Sequence, residues 1–408
     1  MNGRVTMKRG GITVALVWCL ALSPGSVFAQ SGQTAQIPLQ FDFLNPGARS
    51  LAMGSAFVAV ADDATAAFTN PAGLTFLVKP EVSGELRYRS LDTPFLYGGR
   101  LNGTVTNVGT DTTAGPTYAT STDSSTRPYF LSFVYPAKRW AVSVYRHELV
   151  RQDNSFQSNG AYFTAVFSGT PVTAQMAGLQ GTRIVTIDNY GVSAAYRVTD
   201  SVSAGAGLSI YHFDVTSDFT QLGHDAAGNP IPVASAATMT QRGSGTSAAA
   251  NLGLLWTADP KVRLGVVFRQ GAGFDFTQVD TVPPLGSLTR TGQFRTPHVF
   301  GLGARVQPMG NFSFSVDYDR VLYSRLKDDY ISFQVADSVK SRIDIADGNE
   351  VHIGAEYVFT SVAHTPSIRG GLWYDPDHSV HYTSDGTNSV QDLQLKAIFP
   401  GGDNVAHY

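Results

Sequence analysis

The sequence holds a single cysteine in 408 residues, Cys19, and that scarcity sets aside disulfides, thiolate metal centres and cysteine nucleophiles. Charge is scarce as well. Lys, Arg, Asp and Glu make up 15% of the chain, against about a quarter in an ordinary globular domain. The signs nearly balance, with 29 basic and 32 acidic side chains, so no nucleic-acid partner is expected. Beyond the N-terminal region no apolar run reaches the roughly 18 residues a transmembrane helix needs. Enzyme signatures are absent too: there is no Gly-x-Ser-x-Gly elbow and no His-Glu-x-x-His pair. Gly301-Leu302-Gly303 lies within an alternating strand and not ahead of a helix, so it is no dinucleotide loop and is expected to admit a close backbone neighbour. Asp375-Pro376-Asp377-His378 offers donors without a third and fourth ligand at metal spacing, and Asp62-Asp63 is expected to cap and hydrogen-bond. Neither a metal nor a cofactor is expected.

What the chain does contain begins with a leader. Arg4, Lys8 and Arg9 precede an apolar run from Ile12 to Leu22, and Val27-Phe28-Ala29 is a small-residue cleavage site. Residues 1–29 therefore read as a secretory signal, with a mature start at Gln30. The rival, a lipoprotein signal at Cys19, has the bulky Trp18 where a small residue is usual. Cleavage after Ala29 removes Cys19 and three basic side chains, leaving 26 Lys and Arg against 32 Asp and Glu, a net charge of −6. An exported chain without a transmembrane helix, with 41 glycines and 11% aromatic residues, is a secreted β protein or an outer-membrane barrel.

Two-residue alternation decides between them. Val82, Gly84, Leu86 and Tyr88 share one face, opposite Glu81, Ser83, Glu85 and Arg87. The same period runs through residues 131–135, 140–145, 190–196, 202–210, 250–256, 262–268, 300–306, 312–318, 351–357 and 368–374, which is the pattern of half-buried strands. Short turns at 136–139, 198–200, 257–260, 307–310 and 359–365 alternate with long polar loops at 90–127, 149–187, 215–245, 270–297, 323–349 and 376–402. Outer-membrane barrels have that rhythm, whereas sandwiches space their strands more evenly. Tyr135, Trp140, Tyr196, Trp256 and Tyr357 stand at strand ends beside the short turns, as an interfacial girdle does. The expected fold class is all-β: a transmembrane antiparallel β-barrel with its apolar face on lipid and its Arg, Asp, Glu and His face in the lumen.

One segment fits no strand. Residues 47–74, opening Gly-Ala-Arg-Ser-Leu-Ala-Met-Gly and closing Asn70-Pro71-Ala72-Gly73-Leu74, are small, apolar and nearly uncharged. A stretch so rich in alanine is a poor strand, and its apolar runs are too short to span a bilayer as a helix. It needs a protein cavity to sit in. Asp63 is the expected N-cap of a short helix over residues 64–68, which Asn70-Pro71 ends because a residue before proline avoids the helical region.

This segment resembles the N-terminal hatch of the FadL-type outer-membrane transporters of fatty acids and aromatic hydrocarbons. Three later stretches, residues 346–354, 367–375 and 399–404, are similar to the same family. The resemblance implies a fourteen-stranded barrel in the bacterial outer membrane, residues 80–408, plugged by a lumenal hatch, residues 30–79. Eleven complete strands and the start of a twelfth at 404–408 are legible, so the C-terminal strands of the barrel are expected to be missing from this chain.

The resemblance also implies a function. It is passive, hatch-gated transport of hydrophobic compounds, long-chain fatty acids or hydrocarbons, with outer-membrane lipid and a hydrophobic small molecule as partners and no enzymatic step. Substrate in this family is thought to leave sideways through the wall once the hatch shifts. Gly54, Asn70, Pro71 and Ala72 are the candidate gating residues. Leu51, Met53, Phe57 and Phe68, with Arg263, Arg269 and Arg369 on the lumen face, are the candidate substrate path. An arginine can hold a carboxylate bidentately; equally, these three can pair with Asp317, Asp319, Glu356 or Asp375 and simply satisfy the lumen. Residues 47–54 are similar as well to PorV-type barrels, which act as structural or shuttle components of a protein-secretion system. Under that alternative the partner is a secreted protein.

Overall fold

The structure, a computed structural model, describes residues 45–233, 236–282, 285–327, 337–361, 364–399 and 405–407. The leader read over 1–29, the lead-in to residue 44, and residues 400–404 and 408 lie outside the described residues. From the N-terminus the strands are β1 (Glu81–Arg100), β2 (Gly115–Pro136), β3 (Trp140–Ser158), β4 (Tyr162–Phe167), β5 (Thr170–Gln175), β6 (Gly178–Arg197), β7 (Val202–His224), β8 (Pro230–Ile231) and β9 (Thr238–Asp259). They continue as β10 (Val262–Arg269), β11 (Gly273–Val282), β12 (Gly286–Arg295), β13 (Val299–Met309), β14 (Phe312–Val321), β15 (Ile343–Ile345), β16 (Gly348–Val358), β17 (Ser367–Asp375), β18 (Val380–Tyr382) and β19 (Val405–His407).

The wall is an antiparallel meander in the order β1-β2-β3-β6-β7-β9-β10-β13-β14-β16-β17-β19. Short reverse turns permit such neighbours, and all of the alternating segments find their places in it. The segment at the C-terminal end forms β19, where Trp373 pairs with His407. The face assignment follows from alternation. Val82, Leu86 and Tyr88 are exposed, and so are Val142, Val144, Leu208, Leu254, Leu302 and Leu372. That apolar band surrounds the wall and faces lipid, while Ser193, Asn251, Asp317 and His352 are buried inside. The five girdle aromatics beside the short turns all keep 38–50% of their surface, so they point outward into the interface. Among the described residues no helix is long and apolar enough to cross a membrane; the strands cross it.

The long connections differ from expectation. Much of what reads as polar loop is strand: β1 runs to Arg100 and β2 starts at Gly115, while β3 and β6 pair from Trp140↔Tyr196 out to Ser158↔Leu179. These strands have 19 to 23 residues, about twice the 9–11 that cross a bilayer. Their outer halves stand in water, where the outward face is polar and the apolar alternation disappears. The hairpin β11–β12 extends this outer wall against β9. A helix, Val390–Ile398, capped by the Ser389 side chain, contributes Leu395 and Ile398 to an apolar core in the outer mouth.

Candidate functional site: a plug held in the lumen

The plug is built from single turns because its sequence allows little else. A helix spans Ala48–Ala52. Gly54 follows with φ of +60°, a left-handed conformation for which glycine carries no side-chain penalty. A second helix covers Ala66–Thr69, two residues later than the expected start. Asp63 is not its cap. Its Oδ1 instead accepts from the amide and hydroxyl of Thr65, at 3.0 and 2.5 Å, and this local turn uses up the side chain before the helix begins. Asn70 ends the helix as expected, in an extended conformation with φ −152°. Its Oδ1 then accepts from Ala72 N at 3.2 Å and so caps a 3-10 helix, Pro71–Phe76.

Small residues let this coil lie against the wall. Met53, Phe57, Val60, Ala61, Ala64, Ala67, Ala72 and Leu74 have no exposed surface. The wall answers with inward glycines. A methyl group at Gly371 on β17 would lie 2.1 Å from Gly54 N, and one at Gly205 on β7 would lie 2.3 Å from Ala72 N. Gly303 on β13 stands similarly against Ala59, as the sequence pattern suggests for the Gly301-Leu302-Gly303 strand. Backbone thus meets backbone around the lumen, and dispersion contacts are gained over the whole plug.

Because the helices of the plug are only one or two turns long, many of its peptide groups need partners from the wall. Ser132, Ser193, Asn251 and Ser315 donate to the carbonyls of Ala64, Ala67, Phe68 and Ala56, at 3.1, 2.7, 2.6 and 2.9 Å. Asp317 accepts from Val58 N at 2.7 Å, and His352 Nδ1 meets Gly54 O at 2.8 Å. Asn70 Nδ2 donates to Val58 O at 2.9 Å, tying the corner back onto the plug. These polar wall residues are positions that strand alternation assigns to the lumen without indicating what each one holds.

The three candidate arginines do not converge. Arg263 and Arg369 lie at the short-turn end of the plug, the periplasmic end in barrels of this kind. There Arg49 forms a bidentate pair with Glu356, at 3.0 and 2.8 Å, and bonds Asp62. Arg369 also donates to Glu356, at 2.7 Å. Arg263 donates to Val60 O at 3.0 Å and lies 3.9 Å from Asp62. Burial works against the charge on Arg49, but Glu356 and Asp62 outweigh it and raise its pKa. Arg269 stands on the far side of the plug. It donates to Asn45 Oδ1 at 3.0 Å, lies 3.6 Å from Asp319 and sits 5.2 Å from the Phe68 ring centre. Of the candidate path residues, Met53, Phe57 and Phe68 are buried, and Leu51 is half-buried. The candidate gating residues Gly54, Asn70, Pro71 and Ala72 all lie where the plug touches the wall. Arg49 and Glu356 belong to the same network, and the sequence signal for them was the single cation among residues 47–74, whose only other charges are Asp62 and Asp63.

Taken together, a lipid-facing apolar band, short turns at one end, long strands at the other and a coil filling the lumen define a plugged β-barrel of the bacterial outer membrane. Residues 163–390, more than half of the chain, match the family model described as outer membrane protein transport protein (OMPP1/FadL/TodX). The chain belongs to that family. The structure is similar to that of a Pseudomonas aeruginosa FadL homologue, with a TM-score of 0.57 and 14% identity over 87% of this chain and 84% of that one. It is similar also to the P. putida toluene transporter TodX, with a TM-score of 0.54 and 15% identity over 82% and 84% of the two chains. The CymD monoaromatic hydrocarbon channel gives 0.50 and 17%, over 85% and 86%. No curated protein sequence matches the chain.

Proposed function

We propose that this protein carries small hydrophobic molecules passively across the outer membrane, with residues 30–79 as a movable hatch in the barrel of residues 80–408. The observation that carries this reading is the plug itself. It is an apolar, alanine-rich coil held to the wall by single hydrogen bonds with Ser, Asn, Asp and His side chains, contacts that can exchange one at a time, and by the Arg49–Glu356 pair at its short-turn end. A hydrophobic solute gains nothing from a water-filled pore but gains free energy at each apolar surface it covers. Two apolar clusters follow one another: one in the outer mouth with Phe213, Phe274 and Phe294, the other where the plug packs on the wall, with Phe57 and Phe68 against Phe130.

Sideways release, which the family resemblance implies, has support in the wall. β3 slips register between Glu148 and Val150, and bulges of this kind bend strands beside functional sites. On the outer face of β3, β6 and β7 an apolar groove runs between Val142, Val144, Val192, Ala194, Ala206 and Leu208. Hydrocarbon is favoured over fatty acid as the solute. Arg263, Arg269 and Arg369 each lie within 4 Å of an acidic side chain of the protein, and two structurally similar proteins are a toluene transporter and a monoaromatic hydrocarbon channel.

The test is entry of labelled toluene and of oleate into liposomes containing the full-length protein. Faster toluene entry than in protein-free liposomes, with a smaller effect on oleate, is expected. Entry at the protein-free rate for both would contradict the reading. A secreted protein co-purifying with a barrel that has no uptake effect would favour the secretion-component alternative.

A further inference from the structure

Beside the plug stand two fully buried polar side chains whose hydrogen-bonding capacity is largely unmet. His147 on β3 and Asn189 on β6 are paired across the strands and face the lumen with no exposed surface. Among the described residues, neither ring nitrogen of His147 has a hydrogen-bond partner, and the Asn189 amide makes no close bond, its side chain interacting loosely with the Tyr145 hydroxyl. Native interiors rarely leave such groups unmatched, and those left so call for a specific explanation.

Their surroundings are aromatic. The Phe68 ring of the plug is centred 4.5 Å from the imidazole, Tyr129 is at 4.9 Å and Phe130 at 6.1 Å. The hydroxyl of the neighbouring Tyr145 is bonded to Ser209 Oγ at 2.8 Å. The cations on this side are already engaged: Arg269 by Asn45 and Asp319, and Arg87 by Glu85, with its guanidinium 3.5 Å from the Tyr129 ring centre. The pair therefore does not fit a naked anion. A neutral imidazole has one donor and one acceptor, and an amide has two donors and one acceptor oxygen. Both functions together match a group that donates and accepts at once.

We infer that His147 and Asn189 form a seat for the hydroxyl group of an otherwise apolar solute, covered by the Phe68 ring while the plug is closed. The inference rests on the transport reading and narrows its solute class to alcohols and phenols alongside hydrocarbons. Both groups are already out of water, so a hydroxyl displacing Phe68 gains their bonds with little further desolvation, and a hydrocarbon gains none. The β3 bulge begins one residue beyond His147, which places the seat beside the wall segment where sideways release is proposed.

The test compares binding of naphthalene and a naphthol to the full-length protein in detergent, read by probe fluorescence and corrected for partition into the micelle. The naphthol is expected to bind about fivefold more tightly than naphthalene. Asn189→Leu and, separately, His147→Phe should abolish that difference and leave naphthalene binding, which also reports an intact fold. His147→Gln, which keeps a donor and an acceptor, should retain part of it. Equal affinities in the wild type, or a preference surviving both apolar variants, would overturn the seat while leaving the transport reading intact. Binding of neither probe would remove the transport reading and the seat with it.

Discussion

Asn70 does three things at one corner. Its extended backbone ends the helix, its side-chain Oδ1 caps the 3-10 helix by accepting from Ala72 N, and its side-chain Nδ2 donates to Val58 O. Replacing it with alanine leaves a buried carbonyl and a buried amide unmatched, at about 1–3 kcal/mol for each group. Asn70→Ala is therefore expected to speed hydrogen exchange at Ala72 and to expose the 45–79 segment to protease while the barrel stays folded; unchanged exchange at Ala72 would contradict this role. Gly54 is the second such residue. At φ +60°, a Cβ there would meet Leu372 N at 2.6 Å and Ile353 O at 2.8 Å. Gly54→Val should release the same segment more completely than Asn70→Ala, since neither the conformation nor the space admits it. Limited proteolysis of both variants ranks them, and equal protection would contradict the close approach. The Asn-Pro corner is legible in sequence because proline restricts the residue before it. The Asp63 cap is misplaced because an aspartate can satisfy a nearby turn as readily as a helix end, and the competition is settled by which amide the wall leaves free.

At the scale of the elements, the membrane-crossing strands are legible and their outer halves are not. Inside the bilayer one face must be apolar, so Val82, Leu86 and Tyr88 alternate with Glu81, Glu85 and Arg87. Beyond the bilayer both faces of β1 and β2 can be polar, the period vanishes, and only cross-strand pairing such as Asp92↔Thr122 reveals the strand. The linking segment between β1 and β2 carries its own anchor. Arg100 and Asp111 are both buried and paired, and Asp111 also accepts from Thr106 N and Oγ1, at 3.1 and 2.7 Å. The Arg100 bond, opposed by burial and helped by Thr106, holds the Asp111 carboxyl below its ordinary range. A lowered folded pKa gives stabilisation that is present above the unfolded value of about 3.9 and is lost as pH falls through the folded one. Protection of residues 101–114 against exchange is expected to hold from neutral pH down to about 4, to fall below that, and to lose this pH dependence in Asp111→Asn. A segment equally protected at neutral and strongly acid pH would contradict the anchor.

For the whole molecule, the plug and the wall were separable in sequence but their chemistry was not. Composition alone identifies residues 47–74 as a guest needing a cavity, and alternation supplies the cavity. What stays hidden is which inward residue meets which peptide group, because that depends on register around the barrel. His147 and Asn189 look like any other lumen-facing polar residues until β3 and β6 are paired. Likewise the three arginines look like one cluster until Arg269 is found across the plug from Arg263 and Arg369. The account turns on movement of the plug against its wall. Thr75 Oγ1 of the plug donates to Ser203 Oγ of β7 at 2.8 Å, so these side chains meet and cysteines at the two positions can lock plug to wall in a chain whose only native cysteine is Cys19. The most direct measurement is toluene entry into liposomes containing the Thr75→Cys, Ser203→Cys protein, before oxidation, after complete oxidation and after reduction. Oxidation should cut entry to the protein-free rate and reduction should restore it; entry that continues undiminished through a fully cross-linked protein would contradict a gate made by the hatch.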